Sequence, residues 1–248
     1  MSDGFFVAAL DDHVQIGSLV TLGGPEGRHA AVVRRIGLGE VVTVTNGEGR
    51  GVRGPVVAVR KDGLDIEVAE LLAASLPVPR IVCVQAIPKN ERAEQAVDLL
   101  TEIGVDEIVP WQASRSIVRW SGERGEKSLA RWQAVAREAA KQSRRLTVPT
   151  IAPLATTTQV AARLAAAPAA YVLHEGASTA VASVRPPNSE IVLVVGPEGG
   201  IAPDELAAFE AAGARAILIA DTVLRTVTAG AVAVAQLRLL ADLDGRDR

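Results

Sequence analysis

EIVLVVGPEGG, residues 190–200, decides the fold: a run of apolar residues ends abruptly in a glycine-rich loop. Apolar side chains on consecutive rather than alternate positions suit a strand buried on both faces of a parallel sheet. The period then changes. PDELAAFEAAG (203–213) reads as a helix, with Pro203 and Asp204 in a first turn where a missing N–H is harmless and a carboxylate meets the positive dipole end. ARAILIA (214–220) is a second apolar strand, and TAGAVAVAQLRLLADL (228–243) a closing helix. The same alternation extends toward the N-terminus. IVCVQAI (81–87) and DEIVP (106–110) read as strands around a helix spaced at Ala93, Ala96, Val97, Leu100 and Ile103 and stopped by Gly104. A long basic helix over 124–144 and the strand AAYVLH (169–174) complete the set. Alternating strands and helices predict an α/β domain with a mostly parallel sheet.

Residues 1–72 have a different rhythm. Short apolar alternations (LVTL, EVVTVT, VVAVR, LDIEVAEL) are punctuated by GGPEG, NGEGRG and KDG, which predicts a small antiparallel barrel or sandwich. Asn46-Gly47 and Asp62-Gly63 read as tight primed hairpin turns. SLPVPR (75–80) reads as a linker, so the expected domains are 1–74 and 75–248.

Composition narrows the class. With 248 residues, 48% hydrophobic and 22% charged, the chain is neither disordered nor fibrous. No uninterrupted apolar run reaches the roughly 18 residues that cross a bilayer, and MSDGFFVAALDD lacks the basic region of a secretory signal. The single cysteine, Cys83, reads as a buried hydrophobe in a reducing compartment. One cysteine and three histidines make a four-ligand zinc site improbable. The expectation is a soluble, cytoplasmic protein without a metal. The net charge of −3 hides two basic segments. Positions 28–61 hold seven Lys or Arg, among them Arg28, Arg34 and Arg35, against two acids; positions 115–145 hold nine, including Arg115 and Arg144, against three. Each is either a solvated face or a phosphate-binding surface, since phosphate responds to local charge.

Three loops leave strand ends: His174-Glu175-Gly176, Gly196-Pro197-Glu198-Gly199-Gly200 and Asp221–Thr226. Open α/β sheets bind ligands outside the carboxyl ends of their strands, so the three loops are expected to share one pocket. GPEGG alone is a modest signal that also admits a tight turn before a helix, because it lacks both the G-x-G-x-x-G spacing and the Gly-Lys-Ser/Thr of a P-loop. Glu198 and Arg225 are the charged candidates, either as polar groups in an apolar pocket or as exposed surface residues. His174 is a base or a structural histidine. Trp111, Trp120 and Trp132 read as packing residues, with Trp120 placed to stack on a base.

VVGPEGGIAPDE and LIADTVLRTVTA resemble the last two motifs of the SPOUT class of RNA methyltransferases, and specifically the bacterial 16S ribosomal RNA uracil-N3 methyltransferases. IPKNERAEQAVDLLTEIGVDEIVPWQASRSIVRW, RWQAVAREAAKQSRRLTVPTI and HAAVVRRIGLGEVVTVTNGEG extend the resemblance along nearly the whole chain. It implies a C-terminal α/β domain with a deep trefoil knot, an N-terminal PUA-like RNA-binding barrel, a homodimer, and S-adenosylmethionine as methyl donor. It implies a donor site at Leu173, His174, Glu175, Gly176, Gly196, Pro197, Glu198, Gly199, Gly200, Ile201, Ile219, Ala220, Leu224, Arg225, Thr226 and Ala229. Arg225 and Glu198 are the expected catalytic residues. Arg28, Arg34, Arg35, Lys89, Arg92, Arg115 and Arg144 are the expected contacts to 16S rRNA within the 30S subunit. Two positions depart from the family pattern: Val227 stands where an acidic residue is usual, and Asn90 where glycine often follows the lysine. The alternatives are a related enzyme acting on another RNA base, a small-molecule enzyme using the loops for a nucleotide, and an RNA-binding assembly factor without catalysis, which Val227 favours. Helix 228–241 is either a dimer contact or buried against the sheet.

Overall fold

The computed structural model describes residues 4–75, 78–89 and 92–246. Leu76 and Pro77 of the linker, Asn90, and the first three residues of the N-terminal segment lie outside the described residues. The chain divides into two compact units: Met1–Leu76 with Ala140–Val148, and Pro77–Ala139 with Pro149–Arg248.

The first unit contains β1 (Gly4–Val7), β2 (Leu19–Leu22), α1 (Gly24–Arg28), β3 (Val41–Thr45), β4 (Arg50–Arg60), β5 (Gly63–Glu67) and β6 (Glu70–Ala73). They form a six-stranded sheet ordered β1-β3-β4-β5-β2, with β6 also on β4. It is antiparallel except for the β1–β3 pair. The long β4 serves two sets of partners: β3 and β6 along its first half, β5 along its second. The changeover requires glycine, since a Cβ on Gly54 would sit 1.8 Å from the Glu67 carbonyl oxygen. Phe6, Leu22, Val44, Val52, Leu64 and Ile66 form the core.

Neither hairpin is a two-residue primed turn. The Asn46 turn spans four residues, with positive φ only at Gly47 and Gly49; the other consists of Lys61 and Asp62, neither at positive φ, with Gly63 already in β5. GPEGR, expected as part of a turn, forms α1, because Pro25 is pre-set for a first helical turn; a π-helical turn, His29–Val33, continues it. Ala140–Val148 joins this unit through the β3–β4 loop: Val148 N–H donates to Gly47 O at 2.8 Å and Gly49 N–H to Leu146 O at 3.0 Å. Lys141, buried, pairs with Glu26 at 3.0 Å.

The second unit holds β7 (Arg80–Ala86), α2 (Arg92–Glu102), β8 (Glu107–Trp111), most of α3 (Gly122–Gln142), β9 (Thr150–Ile151), α4 (Thr157–Ala166), β10 (Ala169–Leu173), β11 (Glu190–Val195), α5 (Pro203–Ala211), β12 (Arg215–Ile217) and α6 (Thr226–Arg246). Every pair in its sheet is parallel, in the order β12-β10-β11-β7-β8-β9. β7 and β11 are almost wholly buried, as the apolar runs Ile81–Val84 and Ile191–Val195 require, with Gln85 a buried polar side chain in β7. Several boundaries differ from expectation: α6 begins two residues early, and β9 and α4 fall outside the expected set. α3 stops at Gln142 because Arg144 takes a left-handed conformation (φ 55°), and β12 is only three residues, with Leu218 held by a lone bridge to Ala180.

The tryptophans are packed: Trp111 meets Phe209 edge-on at 5.1 Å, and Trp120 meets Trp132 at 5.0 Å. Helix α6 approaches the sheet at Gly230, where a Cβ would come within 3.0 Å of Leu100 and 3.3 Å of Val195. By length and composition its Thr226–Leu243 stretch is apolar enough to cross a membrane, yet Ala233, Val234, Leu237 and Ala241 are buried within the fold.

Candidate functional site

Loops from the carboxyl ends of β10, β11 and β12 line a cavity of about 540 Å³ in the second unit. From β10 come Leu173, His174 and Glu175; from β11, Val195 and Gly196–Ile201; from β12 and the start of α6, Ile217–Val227 and Ala229. This is the crevice that the sequence assigns to strand ends. Gly176 is outside this lining and borders a neighbouring hollow with Ser178, Glu210 and Arg215.

The β11 loop is shaped by close approach. A Cβ on Gly196 would lie 2.7 Å from Cγ1 of the buried Ile201, and Gly200 has φ +73°. Thr226 Oγ1 donates to Gly196 O at 3.0 Å and so ties the first turn of α6 to this loop. The β12 loop is unusual in its backbone. None of the N–H groups from Ile219 to Arg225 has a protein acceptor among the described residues, while Ile219 O accepts from Gln236 Nε2 at 3.1 Å. A row of amides without partners beside a cavity is a surface made for a ligand's acceptors.

Glu198 Oε1 accepts from Lys89 N–H at 3.1 Å and lies 3.7 Å from Arg92 Nη1. The Arg225 guanidinium is exposed and has no partner among the described residues. Val227 is buried in the lining, so the position where the resemblance leads one to expect an acid presents methyl groups. Arg92 and Arg115, expected on RNA, both line the cavity; Arg115 Nη1 donates to Gly199 O at 3.2 Å. Of the other expected RNA contacts, Arg28, Arg34, Arg35 and Arg144 are exposed on the first unit and Lys89 on the second. Sequence reasoning missed Val195, Ile217 and Leu218, and assigned no role to Asp221, Thr222 and Val223, although those three sit inside a loop it had singled out.

Burial pushes the Cys83 thiol, on β7, up to about 12. Burial also raises the Tyr171 phenol, against an opposing influence from Arg215. No cluster of three or more His, Cys, Asp or Glu able to hold a metal occurs among the described residues.

A glycine-lined cavity at the ends of parallel strands, with free backbone amides and several arginines, agrees with the class to which comparison assigns the chain: the RNA methyltransferase domain, whose family model matches residues 74–238. The chain is 42% identical over 241 residues to ribosomal RNA small subunit methyltransferase E of Mycobacterium bovis, covering 95% of this chain and 91% of that protein. The Bacillus subtilis protein of that name is 25% identical over 248 residues, covering 96% and 97%. The crystal structure of the Neisseria gonorrhoeae protein of that name, bound to S-adenosyl methionine, superposes with a TM-score of 0.82 at 27% identity, covering 95% of this chain and 96% of that one. The chain belongs to the ribosomal RNA small subunit methyltransferase E family.

Proposed function

We propose that this protein transfers a methyl group from S-adenosylmethionine to N3 of a uridine near the 3′ end of 16S ribosomal RNA in the 30S subunit. The observation that carries this reading is the cavity itself: glycine-lined, it holds amides and an arginine that have no partner among the described residues, in a chain of this family. The donor fits what is there. About 540 Å³ lies within the range of small-molecule sites. The seven amides of 219–225 suit the acceptors of an adenine and a carboxylate, and the close approach at Gly196 leaves the backbone bare toward the ligand.

When bound, S-adenosylmethionine supplies an electrophilic methyl on a sulfonium centre, so the protein contributes mainly orientation and electrostatics. Uridine N3 must lose its proton as it attacks. Arg225 offers its guanidinium to a uracil carbonyl oxygen and stabilises the charge that grows there. Glu198, anchored through Oε1, shapes the wall beside Arg92 and accepts the N3 proton on its other oxygen. Because N3 lies on the Watson–Crick edge, the base enters unpaired or flipped out.

Residues 1–74, completed by the captured segment 140–148, act as a PUA-like RNA-binding barrel, with Arg28, Arg34, Arg35 and Arg144 on phosphates, and the remainder of 75–248 as the SPOUT methyltransferase domain. The order β10-β11-β7, with β12 at the far edge before α6 packs back on β7 and β11, supports a knotted connection. Leu239 and Leu243, exposed one turn apart on α6, support a homodimer through that helix. The buried free thiol supports a reducing, cytoplasmic setting.

The test is a methylation map of 16S rRNA from cells with and without the protein, by mass spectrometry of nuclease fragments. Loss of one N3-methyluridine, restored on purified 30S subunits by protein and donor, is the expected result. An unchanged map with intact donor binding points to another RNA base. An unchanged map without donor binding leaves the non-catalytic RNA-binding reading.

A further inference from the structure

Glu205 takes no part in the chemistry outlined above, yet it is a carboxylate with 3% of its surface exposed. Oε1 accepts from Ser114 N–H and from Thr157 Oγ1, both at 2.9 Å; Oε2 accepts from Ser114 Oγ at 2.9 Å and Ala202 N–H at 3.3 Å. It forms no ion pair among the described residues. A buried carboxylate held by neutral donors alone is a costly choice where an amide or an apolar side chain would fill the space.

The donors come from the loop after β8, the start of α4, and the residue leading into α5. Two of these segments grip the glycine loop of the cavity. Ala202 directly follows Ile201, so its N–H bond fixes the downstream end. Ser114 precedes Arg115, which donates to Gly199 O and packs its Cβ 3.4 Å from where a Gly199 side chain would begin. One carboxylate therefore braces the loop directly at Ala202 and, through Arg115, at Gly199.

We propose that Glu205 is a positioning residue for donor binding that holds Gly196–Ile201 in its ligand-ready conformation through Ala202 and Arg115; this rests on the donor-site reading above. The test is calorimetric titration of the full-length protein with S-adenosylmethionine, alongside steady-state methylation of 30S subunits. Glu205→Gln keeps the volume and one acceptor oxygen, and the Ser114 hydroxyl can turn to accept from the new amide, but Ala202 N–H loses its partner. Donor Kd is expected to rise about tenfold, the worth of one strong hydrogen bond, with kcat at saturating donor within about twofold of wild type. In an Arg115→Ala background the same substitution is expected to weaken binding at least about threefold less, because the two act on one loop.

A merely structural role would lower Tm and the fraction of binding-competent molecules while leaving the Kd of that fraction unchanged. An unchanged Kd, or effects fully independent of Arg115, overturns the proposal. Should Glu205→Gln fail to fold, Ser114→Ala removes one donor from the same carboxylate and must shift Kd in the same direction. Wild-type protein that binds no donor in this titration would instead defeat the functional reading.

Discussion

Gly196→Ala puts the donor cradle to its most direct test. The added methyl would sit 2.7 Å from Ile201 Cγ1 and 3.4 Å from Cδ1, where carbon atoms prefer about 3.5–4.0 Å. Ile201 cannot swing into solvent, since it is 6% exposed and packed in the core with Phe209 and Val194. Relief therefore comes from moving the Gly196–Ile201 loop by something near 1 Å. Overpacking of this size costs about 1–3 kcal/mol of folding stability. For a chain of this length that lowers Tm by roughly 2–4 °C per kcal/mol, readable by scanning calorimetry. Displacement of a ligand-positioning loop by about 1 Å costs on the order of 100-fold in kcat/KM, measured with labelled donor and 30S subunits. The two readouts separate the reasoning. If Tm falls as expected while donor Kd and kcat/KM stay at wild-type values, the loop moves without touching the ligand, and the donor site lies elsewhere.

Arg225→Ala is expected to lower kcat by roughly 100–1,000-fold, as loss of an oxyanion donor does, and Arg225→Lys to recover only part because an ammonium lacks the planar fork; single-turnover methylation reads both. Gly54→Ala, whose methyl would lie 1.8 Å from the Glu67 carbonyl oxygen, is expected to cost about 3 kcal/mol or more and to collapse the first sheet, seen as lost amide protection across β4–β6. Cys83 adds a pH dependence with a definite sign. Its thiol is held at about 12 by burial, against about 8.5 unfolded, so its contribution is complete below about pH 8.5 and is lost toward pH 12 at up to about 1.4 kcal/mol per pH unit. Urea unfolding at pH 8 and 10.5 should show that decline in wild type and a shallower one in Cys83→Ala.

Most strands of the parallel sheet were legible because burial on both faces writes itself as apolar runs, as at 81–84 and 191–195; the two-residue β9 is too short to leave such a run. Their order was not, because nothing local tells β11 to insert between β7 and β10. GPEGR reads as a turn and folds as a helix: glycine and proline mark a break in pattern without saying which side of the break is helical. At the site, the loops after β10, β11 and β12 could be predicted from position alone. Arg92 and Arg115 could not, since tertiary folding brings them to the cavity from the start of α2 and the loop after β8. Glu205 was invisible for the same reason: its partners Ser114 and Thr157 are 91 and 48 positions away.

The capture of Ala140–Val148 by the first unit has a consequence for synthesis and for dissection. The polypeptide passes between the units three times, at 76/77, 139/140 and 148/149. Although its sheet is encoded before residue 76, the first unit lacks its final strap until the ribosome has made residue 148, so its folding cannot be completed ahead of the second unit's early strands. A cut at the apparent linker would release neither unit whole: the leading fragment would leave without its last nine residues, and the trailing one would carry them as a loop belonging to a fold no longer covalently attached.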